Sequence, residues 1–260
     1  MEPQPTTEGE ILFQKYLISQ GHAGLFEFEQ PCPGKKRVVD YTLTHAGKKC
    51  LFDVKDFAPD IFPVGEAVGA YSFDPYPRIR EKIEQGREKF KEYKGLPCGL
   101  VLRNTGNFHV SLEDTSIMLG AMYGDAGISI PIGKLAGSAP AVSTFLGRGK
   151  MIRPKWKTPQ NTTISALITL RHVNVGQMKL SAYIKRHPEL GRDLEKILQL
   201  DLAELGIDLE DRQLGVIVWE NGFATAPFPR ELFQGKYDVR WGIVGDSQQM
   251  IFRGEGLTEL

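Results

Sequence analysis

Arg37-Val38-Val39-Asp40-Tyr41-Thr42-Leu43 and Cys50-Leu51-Phe52-Asp53-Val54-Lys55-Asp56-Phe57 are two runs rich in β-branched and aromatic residues, joined by Thr44-His45-Ala46-Gly47-Lys48-Lys49. Both runs have strand composition, and the polar, glycine-containing joint suits a hairpin. With Ala46-Gly47 as a two-residue loop, antiparallel pairing joins residues whose numbers add to 93, so Asp40 falls directly opposite Asp53. Side chains alternate along a strand, which puts Lys55 on the face of Asp53 and Asp56 on the other, as a solvated or capping residue. Opposed side chains have Cβ atoms about 4.5–5.5 Å apart, and like charges there repel. A divalent cation relieves that repulsion, and hard oxygen donors suit magnesium or manganese. The alternative is a solvated hairpin face on which Lys55 neutralises one aspartate.

Elements on either side follow from their punctuation. Residues 7–21 read as a helix with Thr7 as N-cap, early glutamates and a terminal Gly21. Residues 23–29 alternate like a first strand and end at Pro31-Cys32-Pro33-Gly34. Past the hairpin, an irregular stretch over residues 58–77 leads into a charged helix over 78–94, and Cys98-Gly99-Leu100-Val101-Leu102-Arg103 reads as a short buried strand.

This order of elements, with Asp40 on the second strand and Asp53-Val54-Lys55 on the third, resembles the PD-(D/E)XK phosphodiesterase superfamily over roughly residues 7–104. Val39 stands where the motif name has proline, a position that varies. The resemblance implies an α/β fold with a restriction-endonuclease-like core (helix, three-strand meander, helix, strand) and an elaborated C-terminal half. It implies a DNA endonuclease dependent on Mg²⁺, with Mn²⁺ able to substitute. Asp40, Asp53 and the backbone carbonyl of Val54 would hold the ion. Lys55 would hold or deprotonate the attacking water and stabilise negative charge. Members often carry a glutamate on the first helix, and Glu10, eleven residues before Gly21, takes that place as a further ligand. As a plain residue, Glu10 is a favourable charge at a helix N-terminus. Cleavage would leave a 5′-phosphate, a homodimer would cut both strands, and the setting would be restriction, defence or repair. Two other readings compete: a catalytically silent nuclease-like module that binds nucleic acid or assembles with partners, and an unrelated α/β metabolic protein with a coincidental Asp-x-Lys.

A polyanion needs basic partners. Helix 78–94 mixes seven basic residues with four glutamates, usually the mark of a solvated face. Within it, Gln85 and Lys89 are one turn apart, and the resemblance places polar residues of this helix beside the active site. Arg148-Gly149-Lys150-Met151-Ile152-Arg153-Pro154-Lys155-Trp156-Lys157 has five basic residues and no acid. Its charges would follow phosphates while Trp156 stacks on a base; the alternative is a basic surface loop with Trp156 in the core.

The 32 basic and 32 acidic side chains cancel, so attraction to nucleic acid must be local. Cys32, Cys50 and Cys98 are unpaired in spacing, and the five histidines are scattered, which argues against a disulfide framework or a zinc site. Residues 144–151 fail as a phosphate loop, because Thr144 and Met151 replace its glycine and hydroxyl residues; no nucleotide cofactor is expected. With no apolar run of membrane-spanning length and no leader pattern, a cytoplasmic setting is expected. Residues 1–133 are taken as the nuclease core and 134–260 as an elaboration, possibly of the same sheet. Strands are expected at 108–112, 162–170 and 214–220, an extended stretch at 127–132, a short helix at 116–123, a mainly helical stretch at 177–205 interrupted near Pro188 and Gly191, and an irregular aromatic cover beyond 220.

Overall fold

Ala46 and Gly47 take φ of 47° and 75°, the left-handed values a tight hairpin turn of matching twist requires. Around them β2 (Tyr41–His45) and β3 (Lys48–Phe57) pair from Tyr41↔Phe52 to His45↔Lys48, the expected register. The computed structural model describes residues 4–30, 34–58, 74–104, 110–129, 142–152, 158–190, 193–244 and 251–255. For 125–129, 142–148, 194, 243–244 and 251–255 it describes the backbone alone.

The chain begins with α1 (Glu8–Ser19) and β1 (Phe26–Phe28), which pairs antiparallel with β2. After β3 come α2 (Tyr76–Phe90) and β4 (Cys98–Asn104), parallel to β3 with Asp53 beside Leu100. Then follow α3 (Thr115–Tyr123), β5 (Gly124–Ser129) and β6 (Val142–Arg148), of which the two strands form a separate hairpin sheet. The last elements are β7 (Ala166–Asn174), α4 (Val175–Arg186), α5 (Leu194–Leu198), β8 (Arg212–Glu220), β9 (Val239–Val244) and β10 (Ile251–Glu255). The main sheet is mixed and eight-stranded, in the order β1-β2-β3-β4-β7-β8-β9-β10, so strands beyond residue 134 continue the sheet begun before it.

Alternation along β3 sorts its side chains between two cores. Phe52 and Val54 join Phe13, Tyr16 and Leu17 of α1 on one face; Leu51 and Phe57 join Ile79, Ile83 and Phe90 of α2 on the other. Each fully buried side chain of this size contributes about 1.5–3 kcal/mol relative to exposure. α2 lies close on β4 because Gly86 faces Leu100, where a Cβ would stand 2.9 Å from Leu100 Cδ1. Among the described residues no helix is long and apolar enough to cross a membrane.

Three expectations need correction. Val110, Ser111 and Leu112 are not in a strand, because both edges of β4 are already paired, by β3 and β7; residues 105–109 of that expected strand lie outside the described residues. β7 starts at Ala166, four residues late, since Asn161 at φ 52° turns the chain and the Ser165 hydroxyl caps the N–H of Cys98. The region beyond 220 also supplies strands. Asp238 accepts from the N–H of Val216 at 2.9 Å and from Tyr16 Oη at 2.6 Å, which ties the start of β9 to β8 and α1.

Candidate functional site

Asp40 stands one residue before β2, at the position that continues the ladder opposite Asp53. Both are buried, with relative exposures of 5% and 0%. Two ammonium groups close around them. Lys89 Nζ of α2 lies 2.6 Å from Asp40 Oδ1 and 2.5 Å from Asp53 Oδ1, while Lys55 Nζ lies 2.7 Å from Asp53 Oδ2. The fourth carboxylate oxygen, Asp40 Oδ2, accepts from the backbone N–H of Val54 at 2.6 Å. Two negative and two positive groups thus form a neutral cluster, open to solvent through the lysines, whose side chains are about one quarter exposed (22% and 25%).

Burial, reinforced by the facing Asp53 charge, raises the Asp40 pKa; Lys89 and the Val54 N–H act against that rise. For Lys89, burial opposes the charge, but Asp53 and Asp40 outweigh it and hold its pKa above the ordinary lysine value. Asp53 is the less satisfied carboxylate. Each oxygen touches an ammonium at ion-pair distance, yet neither receives a well-directed hydrogen bond.

This donor set fits a hard divalent cation. Asp40 Oδ1 and Asp53 Oδ1 converge on a single point, now the Lys89 nitrogen. Within a strand a residue's N–H and C=O point the same way, so the Val54 carbonyl faces the flank on which Asp40 sits. Glu10 is not brought in as a third ligand. Its Oε2 accepts from the N–H groups of Thr6 and Thr7 at 2.8 and 2.9 Å, completing a capping box with Thr7 at the start of α1. Among the described residues no group of three or more His, Cys, Asp or Glu side chains is gathered to hold a metal ion.

Of the expected nucleic-acid contacts, Lys89 enters the cluster, whereas Gln85 is exposed and donates to Glu81 Oε1 at 3.0 Å. Lys150 pairs with Glu84 of α2 at 3.4 Å, and Arg148 ends β6. Arg153, Lys155, Trp156 and Lys157 lie outside the described residues. Other α2 cations are engaged locally: Arg80 Nη2 donates to the Gly120 carbonyl at 3.0 Å, and Arg87 pairs with Glu84 at 2.5 Å.

Sequence reasoning missed two features. It gave Lys89 no part in pairing the aspartates, although a glycine three residues earlier signals that this side of α2 approaches the sheet. It also passed over Arg103, which is 8% exposed and pairs with Glu8 at 2.6 Å and, more loosely, with Asp56 at 3.6 Å. Asp56 does cap, since it accepts from the N–H of Gly9 at 3.1 Å on the α1 face. A groove of about 970 Å³ lined by Lys48, Pro97, Asn221 and Phe228 contains none of the four cluster residues. Both lysine ammonium groups sit directly against the aspartate oxygens.

No protein-family model matches this chain, and comparisons with curated proteins and with solved structures returned no match.

Proposed function

We propose that this protein is a divalent-metal-dependent phosphodiesterase with a restriction-endonuclease-like core, and that it cuts DNA. The observation that carries the reading is the pair of buried aspartates, Asp40 one residue before β2 and Asp53 opposite it on β3, with Lys55 against Asp53. The order α1-β1-β2-β3-α2-β4, in which both acids and Lys55 face α2, supports it further.

Asp40 and Asp53 would hold the ion, with the Val54 carbonyl as a neutral donor. A bound Mg²⁺ or Mn²⁺ lowers the pKa of its water and neutralises charge on the phosphoryl group. Lys55 reaches from Asp53 toward solvent, which suits it to orient or deprotonate the attacking water and to stabilise charge on the phosphoryl oxygens. The Val54 N–H donates to Asp40 Oδ2 and fixes that carboxylate, so its other oxygen keeps its aim. A 5′-phosphate product and a homodimer acting on both strands belong to this proposal as the superfamily's usual outcome.

One observation favours a second reading. The four charges already cancel, so the cluster can persist as a buried ionic element in a catalytically silent nucleic-acid-binding or assembly module. The two separate on supercoiled, linear, single-stranded and branched DNA with Mn²⁺ or with EDTA. Cleavage that needs Mn²⁺, disappears in Lys55→Ala and leaves DNA binding intact supports the enzyme. Binding without cleavage in every arm supports the silent module. Equal cleavage by wild type and Lys55→Ala identifies a contaminant and removes Lys55 from the chemistry.

A further inference from the structure

The Lys89 ammonium is within 2.6 Å of both Asp40 Oδ1 and Asp53 Oδ1. A divalent ion held by Asp40 and Asp53 would compete with that ammonium for the same carboxylates. Its charge would also turn a neutral group of four into a strongly positive one, in a region where Asp53 is wholly buried. Both cations cannot sit there together. From this exclusion, which rests on the metal-dependent reading above, we propose that Lys89 is an internal competitor for the divalent ion. Its ammonium must leave the two aspartates for the ion to bind, and it thereby sets the affinity of the site.

The surroundings permit the movement. Lys89 lies on the last turn of α2, one residue before Phe90 closes the helix, and its side chain is 25% exposed. Four rotatable bonds let the nitrogen swing to the rim while the stem stays against the sheet. Lys55 contacts Asp53 Oδ2 rather than the shared point, so it can remain. From the rim, Lys89 would face an incoming phosphate, the contact expected of it from the sequence.

The test is titration of the purified protein with Mn²⁺ alone, followed by calorimetry and by the electron paramagnetic resonance signal of free Mn²⁺. Lys89→Met should bind Mn²⁺ on the order of tenfold or more tightly than wild type, because the ion no longer displaces a charge. Lys89→Arg keeps a cation and should show no such gain. Lys91→Met, which removes a positive charge from the C-cap of the same helix, where it pairs with Glu88, should match wild type. Circular dichroism checks folding, and if Lys89→Met is unfolded, Lys89→Gln takes its place, since its amide still donates to one carboxylate. Wild-type binding that is unchanged or weakened in the uncharged variant overturns the competitor role while leaving the metal site standing. Absence of binding in both wild type and the uncharged variant overturns the metal-dependent reading itself.

Discussion

Replacing Gly86 with alanine sets two effects of opposite sign against each other. Alanine is favoured over glycine inside a helix by about 1 kcal/mol. The new Cβ, however, would stand 2.9 Å from Leu100 Cδ1 and 3.0 Å from Cδ2. Leu100 is wholly buried between β4 and α2, so its methyl groups cannot swing aside without disturbing neighbours. Overpacking of this kind costs about 1–3 kcal/mol. The crowding should win, leaving Gly86→Ala less stable than wild type by about 1 kcal/mol in urea unfolding. Leu100→Ala by itself should cost about 2–5 kcal/mol through the cavity it leaves. Adding Gly86→Ala to that background should then be stabilising, because the obstructing carbons are gone and the helix preference remains. The double-mutant cycle therefore isolates the clash as a coupling energy of about 1–3 kcal/mol. Gly86→Ala more stable than wild type would refute the reasoning, since glycine would then not be what lets α2 lie close. The same shift of α2 would loosen the Lys89 contacts one turn later.

Four further outcomes follow from separate parts of the molecule. In the β2–β3 turn, Ala46→Asn should stabilise by up to about 1 kcal/mol and Gly47→Ala should destabilise by about 1–2 kcal/mol, read as shifts in denaturation midpoint, because both positions have positive φ. Glu10→Ala should cost about 1 kcal/mol through loss of the capping box, whereas Glu10→Gln keeps the cap and should leave Mn²⁺ affinity unchanged; weakened binding in Glu10→Gln would make Glu10 a ligand after all. Burial raises the Cys50 thiol to about 11 and the Cys98 thiol to about 12, so iodoacetamide at mildly alkaline pH should leave both unmodified in peptide maps of the native protein. His22, buried and edge-on to His45 with ring centroids 5.6 Å apart, has its pKa lowered by burial first and by His45 second. The unfolded chain then takes the proton more readily, so stability is full above about pH 6.5 and declines as pH falls from there through the lower native value. His22→Asn should flatten that decline, and an unchanged slope would show that other groups cause it.

The parts legible in the sequence were those set by local rules. Ala46-Gly47 fixes a two-residue turn, a period of two fixes which side chains share a face, and together they place Asp40 opposite Asp53 and Lys55 beside it. Thr7 and Gly21 similarly bracket α1 to within two residues of its observed ends. What stayed hidden depends on distant partners. Composition cannot say which of the seven basic residues over 78–94 turns inward, because Gly86 against Leu100 decides it. The β-branched stretch from Thr162 carries no mark of where pairing begins; the turn at Asn161 and the Ser165 hydrogen bonds set that. β9 was unreadable for the same reason, since its anchor, Asp238, is held by Tyr16 and Val216, both far away in sequence.

The polar groups buried in this sheet differ in what they do for it. Asp238 accepts three hydrogen bonds that join β8, α1 and the segment before β9. Thr169 links the indole of Trp219 to the Leu112 carbonyl, and Asn221 holds the backbone at Ile164 and Phe223. Each of these replaces a backbone or side-chain partner that would otherwise be lost, so each has a structural reason to be polar. Asp40 has a reason of the same kind, since it accepts from the Val54 N–H at 2.6 Å; Asp53 accepts no such backbone bond. A buried ionic cluster of this kind is typically no more stabilising than apolar residues of the same volume, because desolvation offsets the attraction. Asp53 pays that desolvation in full while its oxygens get ion contacts without well-directed hydrogen bonds. By this argument Asp53 gives folding little advantage over the aliphatic residues that surround it on β3 and β4. What the pair does supply is two oxygens aimed at one point beside a partly exposed lysine, the arrangement on which the proposed metal-dependent reading rests.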